Sequence, residues 1–211
     1  YSGETAGGAV AIAESWNGSS WTEVADLNSA RMNAQEAGVS NTSALAFGGA
    51  STEQTNEIWN GTSWTEVGDL NTGRQYGAGM GTVTAALAAG GLIPPATPSN
   101  SALAELWNGT SWTEVGDLTT ARYHTYAAKQ SSTAGLVFGG HDGTDSLALT
   151  EQWNGTAWTE VADLNQVKYG LAGAGTQAAA MAVAGSKTVP AAMATEEYTF
   201  PLEATVSFDS S

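Results

Sequence analysis

The stretch Glu57-Ile58-Trp59-Asn60-Gly61-Thr62-Ser63-Trp64-Thr65-Glu66-Val67 decides how this chain is read. Asn-Gly followed by hydroxyl residues, set between two short β-forming runs, predicts a tight hairpin with positive φ at both central turn positions. Its entering strand is read as Asn56 to Trp59 and its leaving strand as Trp64 to Val67. Beyond it, Gly68-Asp69-Leu70-Asn71-Thr72-Gly73 is polar and turn-like, and Arg74 follows. Glycine- and alanine-rich strands are expected near Gln75 to Thr82 and Thr84 to Ala89, closed by Gly90-Gly91.

The phrase from Glu57 to Leu70 returns nearly intact at Glu14 to Leu27, Glu105 to Leu118 and Glu151 to Leu164, a period of about 45 residues. An eroded fifth copy begins at Glu196-Glu197-Tyr198. The tryptophans fall in pairs: Trp16 and Trp21, Trp59 and Trp64, Trp107 and Trp112, Trp153 and Trp158. Glycine pairs keep the same phase at Gly7-Gly8, Gly48-Gly49, Gly90-Gly91 and Gly139-Gly140, with Gly185 in the fifth place. So do the basic residues Arg31, Arg74, Arg122 and Lys168. One domain over 1–211 is expected, its repeats falling near 1–40, 41–82, 83–130, 131–176 and 177–211.

A unit of four short strands cannot bury both of its faces alone. Packing such sheets around an axis covers the faces and leaves only short edges, which is the propeller solution. The small residues after each basic residue suit innermost strands crowded at the axis, and the tryptophans suit the wider gaps between blades. No helical periodicity is sustained, and alanine-rich Gln177 to Ala184 reads as strand from its flanking glycines. The expected fold is therefore all-β, a small propeller of about five four-stranded blades whose terminal strands complete the ring. The alternating tail Glu203 to Phe208 is a candidate for such a strand, and four blades plus a tail is the alternative.

A glycine pair after an apolar strand, then Glu-x-Trp, a second Trp, and a following Leu and Arg resemble the kelch repeat. Kelch repeats usually carry Tyr where Trp16, Trp59, Trp107 and Trp153 stand. The wording Trp-Asn-Gly-Thr-Ser-Trp-Thr-Glu-Val further resembles kelch-like arrays in fibre and structural proteins of tailed phages, marine ones especially. That resemblance implies a multicopy or homo-oligomeric component of the virion surface. Other virion proteins, and a host glycan or surface protein, are its implied partners.

Composition narrows the chemistry. The 211 residues hold 6 Lys+Arg against 21 Asp+Glu, a formal net charge of -15, with no cysteine and two histidines. Such a balance repels nucleic acid. The absence of cysteine excludes disulfides, thiolate metal sites and a cysteine nucleophile. No apolar run approaches the roughly 18 residues of a membrane-spanning helix. The chain opens at Tyr1 without a signal-peptide pattern, as a mature form or a segment of something longer would.

Repetition weighs on each candidate residue. The paired tryptophans are expected in the core rather than on a sugar-binding platform, since all occupy equivalent positions. Arg31, Arg74, Arg122 and Lys168 recur in phase with Glu14, Glu57, Glu105 and Glu151, which predicts a ring of ion pairs between strands or blades. A residue departing from the pattern makes a better site candidate than any member of it. The Asn-Gly-Ser/Thr sequons read as hairpin chemistry, and Glu23, Glu66, Glu114 and Glu160 as a solvated face. His141-Asp142-Gly143-Thr144-Asp145 lacks the Asp-x-Asp-x-Asp spacing of a calcium loop. No nucleophile elbow, phosphate loop or zinc-protease motif appears, so neither catalysis nor a cofactor is expected.

Three insertions follow the glycine-pair strand, and all should crowd one face. They are Leu92 to Asn100, with Pro94, Pro95 and Pro98; Gly140 to Leu147, with His141, Asp142 and Asp145; and Lys187 to Met193. Variable loops on a rigid scaffold are where recognition resides. The expectation is a non-catalytic structural or adhesive protein, such as a phage fibre, tail appendage or capsid decoration, presenting that face to a host surface or glycan. A secreted or cell-surface bacterial adhesion module is the alternative, and a glycan-active enzyme the third reading.

Overall fold

Strands of three to six residues account for all the regular structure in the computed structural model, which describes residues 3–5, 8–50, 54–95, 99–128, 131–186 and 195–199. β1 (Gly3–Thr5) and β2 (Gly8–Val10) pair with each other, as do β3 (Ala13–Trp16) and β4 (Trp21–Val24). Four larger antiparallel sheets follow, arranged as the blades of a propeller. The first blade is β5 (Gln35–Ser40), β6 (Ser43–Phe47), β7 (Asn56–Trp59) and β8 (Trp64–Val67). In the second, β9 (Ala78–Thr82), β10 (Ala85–Ala89), β11 (Ala104–Trp107) and β12 (Trp112–Val115) repeat that order. The third comprises β13 (Tyr126–Ala128), β14 (Gly135–Phe138), β15 (Thr150–Trp153) and β16 (Trp158–Glu160). The fourth has β17 (Ala172–Gly175), β18 (Ala179–Val183) and β19 (Glu196–Thr199). Inner strands β5, β9, β13 and β17 pack one against the next.

Four blades is the smaller of the two counts the sequence allowed. A fifth requires inner strands beside β3, but β1 and β2 pair with each other, so among the described residues the first repeat keeps only its β3–β4 hairpin. The tail strand expected at Glu203 to Phe208 lies outside the described residues. Each sheet also starts on the strand that follows a basic residue. The sheets are therefore offset by one strand from repeats counted at the glycine pairs.

The hairpin between the tryptophans differs from a two-residue turn. Trp59 pairs with Trp64, leaving a four-residue loop. Positive φ falls on glycine alone: 99° at Gly18, 95° at Gly61, 93° at Gly109 and 92° at Gly155. The asparagine works through its side chain instead. Asn60 Oδ1 accepts the Thr62 and Ser63 amides at 2.9 Å each, and Asn17, Asn108 and Asn154 do the same in their own loops. This Asx turn satisfies two amides that a tight turn would leave to water.

Each of the last three tryptophan pairs packs on the unit before it. Trp107 and Trp112 lie against Ala37, Leu45 and Phe47 of the first blade, with the Phe47 and Trp112 rings 4.9 Å apart. Trp153 and Trp158 lie against Met80 and Leu87, and Trp59 and Trp64 against Ala13 of the first hairpin. Inner strands must be lean for these faces to meet. A Cβ on Gly79 would collide with the Glu36 backbone and the Phe47 ring.

The basic residues close each blade. Glu105 accepts the Arg74 guanidinium at 2.5 Å, the Asn71 and Thr72 amides at 2.8 and 3.2 Å, and Asn71 Nδ2 at 2.9 Å. Arg31 meets Glu57 at 2.7 Å, Arg122 meets Glu151 at 2.6 Å, and Lys168 meets Glu196 at 2.7 Å. In every case the carboxylate belongs to the repeat after the one that ends in the basic residue. It thus clasps the connection arriving from the preceding unit. Burial pulls the Arg74 and Arg122 guanidinium pKa values down, opposed by Glu105 and Glu151 respectively.

Candidate functional site

Two positions past each basic residue the backbone turns left-handed before entering the inner strand. There φ is 58° at Asn33, 59° at Tyr76, 51° at His124 and 60° at Gly170. Glycine adopts this conformation freely, while a side chain with a Cβ does so at a cost of about 1 kcal/mol or more. The loops form a chain around the axis. The Tyr76 amide donates to the Asn33 carbonyl and the Gly170 amide to the His124 carbonyl, both at 3.0 Å.

This turn gathers five rings on one face. Tyr76 and His124 lie 4.0 Å apart between centroids, and His124 lies 5.0 Å from Tyr123 and 5.7 Å from Tyr169. His141 completes the group, 5.4 Å from Tyr123 and 5.5 Å edge-on to Tyr169. All five are half-buried, so each retains surface for a partner. Both histidines of the chain and three of its six tyrosines therefore share one patch.

The loop after the third blade's glycine pair holds His141 in place. Tyr123 and His141 exchange backbone hydrogen bonds of 3.1 and 2.9 Å. His141 Nδ1 accepts the Gly143 amide at 2.9 Å, so the neutral imidazole presents an Nε2–H donor. Asp142 Oδ1 accepts the Thr144 and Asp145 amides at 2.8 and 2.7 Å, which holds its carboxyl below the ordinary carboxylate range. That side chain builds the turn. His124 is pushed the other way from a charged state: burial, and then the neighbouring His141, lower its pKa from 6.5.

Other residues singled out from the sequence have definite places. Leu92 bridges Gln75 as His141 bridges Tyr123, so the proline loop rises from the same face as the ring cluster. Pro94 is half-buried, Pro95 is exposed, and the bond joining them is cis. Asp145 is exposed; Pro98 and Lys187 lie outside the described residues. Trp59, Trp64, Trp107, Trp112, Trp153 and Trp158 are buried, whereas Trp16 and Trp21 are not. Arg31, Arg74, Arg122 and Lys168 are fully buried in the clasps.

Tyr76, Tyr123, His124 and Tyr169 were not legible as a site from their own spacing. Their signal is position: the two residues after each basic residue read Met32-Asn33, Gln75-Tyr76, Tyr123-His124 and Tyr169-Gly170, with a ring in three of the four repeats. Among the described residues no group of three or more His, Asp or Glu side chains is arranged to hold a metal ion. No helix there is long and apolar enough to cross a membrane. The sequence matches no known family model and no curated protein.

Proposed function

We propose that this protein is a non-catalytic binding module, displayed in many copies on a phage particle as a fibre, tail appendage or capsid decoration, whose loop-bearing face engages a neutral host glycan. One observation carries the reading: five half-buried rings converge on one face, and two of them stand in a backbone conformation suited to glycine. Tyrosine faces stack on the C–H faces of sugars, while phenol and imidazole groups exchange hydrogen bonds with sugar hydroxyls. Among the described residues every arginine and lysine is buried in its clasp, and a net charge of -15 disfavours anionic glycans. Single contacts of this kind are weak, and many copies on one particle convert them into avidity.

A glycan array probed with the multivalent recombinant protein tests the recognition. Binding to neutral oligosaccharides that is lost in Tyr123→Ala and His141→Ala, with folding intact, is the expected result. No binding, or binding unchanged in both variants, refutes it. Peptide mass spectrometry of purified particles tests the setting, and absence from the particles removes the virion assignment.

A further inference from the structure

Three internal junctions of this fold share one design, and the two ends of the array expose the two halves of another. Trp16 and Trp21 are 43% and 65% exposed, while the six equivalent tryptophans are at most 7% exposed. Glu14 is exposed where Glu57, Glu105 and Glu151 are buried, and Ile12 beside it is 48% exposed. This hairpin presents the surface that each of the next three units presses onto the unit before it.

The fourth blade presents the reciprocal surface. Its register pairs Ala172 with Val183 and Ala174 with Met181, as Ala78 pairs with Ala89 and Met80 with Leu87 in the second blade. Ala78, Met80, Leu87 and Ala89 are buried, in the cluster that receives Trp153 and Trp158. By contrast Ala172, Ala174 and Met181 are exposed and Val183 is half-buried. Val183 occupies the register position of Phe47, which receives Trp112.

We infer that two copies of this chain associate head to tail, the Trp16–Trp21 hairpin of one seated on the Ala172–Ala174–Met181–Val183 face of the next. The favoured occupant is a second copy because each face is matched by a surface already packed against its counterpart inside this chain. Such a contact is heterologous, leaving one free face at each end, so it propagates into longer assemblies or closes into a ring. Glu197 pairs with Met181 at the position where Leu106 pairs with Leu87. It brings a negative charge to the joint, between chains that each carry -15. Association therefore tightens as salt screens the repulsion.

Sedimentation velocity of the full chain over a range of concentrations and salt tests the inference. The expected result is a mass that rises with both, and that stays monomeric in Trp21→Glu and in Met181→Glu. Each substitution falls on an exposed side chain, and circular dichroism verifies that the fold is kept. Mixing the two variants supplies one intact face from each, so the mixture forms dimers and nothing larger. A monomer at every concentration and salt overturns the inference, as does a mixture that fails to pair. So does a monomer whose Trp16 and Trp21 fluorescence is shielded from acrylamide relative to the Trp21→Glu variant, because the chain then covers its own hairpin.

Discussion

Tyr76 and His124 take backbone angles that Gly170 takes at the equivalent place in the next repeat without a side chain to accommodate. The conformation turns these residues onto the shared face, where the imidazole of His124 is sheltered by Tyr76, Tyr123, Tyr169 and His141. A histidine whose folded pKa lies below 6.5 stays neutral in the fold while the unfolded chain takes up a proton. Its effect is absent well above pH 6.5, and stability falls as the pH drops through 6.5 toward the lower folded value. Urea midpoints measured between about pH 7 and pH 5 should show this decline, and His124→Gln should flatten the part that His124 causes. An unchanged slope in the variant would assign the decline to other groups.

Hairpins and connections depend on one another through the clasps. The Glu105 carboxylate accepts two backbone amides of the link between β8 and β9 as well as Arg74, so it fixes where the second blade begins. Glu105→Gln leaves the guanidinium buried beside a neutral group and should cost about 3–5 kcal/mol in urea denaturation. The last clasp is built with Lys168, and its Glu196 is the most exposed of the four carboxylates at 10%. Hydrophobic joints show the same dependence on neighbours. Trp112→Ala opens the gap beside Phe47 and should cost about 3–5 kcal/mol. Trp21→Ala removes a largely exposed ring and should change the stability of dilute protein by no more than about 0.5 kcal/mol. Equal costs at the two positions would contradict the packing described for the first hairpin.

Repetition makes much of the architecture legible in the sequence, because turn residues, glycine pairs and tryptophans act locally and recur in phase. Strand limits around Trp59 and Trp64, and the alanine-rich β18, are set by such local chemistry. Blade number is set elsewhere, by whether β1 and β2 find β3 or each other, and no local pattern encodes that choice. The basic residues announced ion pairs through their spacing, yet the partner of each lies in the following repeat and becomes evident only once the sheets are assembled. Exposure of Trp16 and Trp21 is likewise a property of what stands beside them. The ring cluster was written in the chain only as rings falling one or two positions after a basic residue, which singles out positions without saying that they meet. Since the first three joints use the same arginine clasp and the same indole-filled seam, insertion or loss of one complete repeat among them during gene copying alters the reach of the array while every surviving joint stays whole.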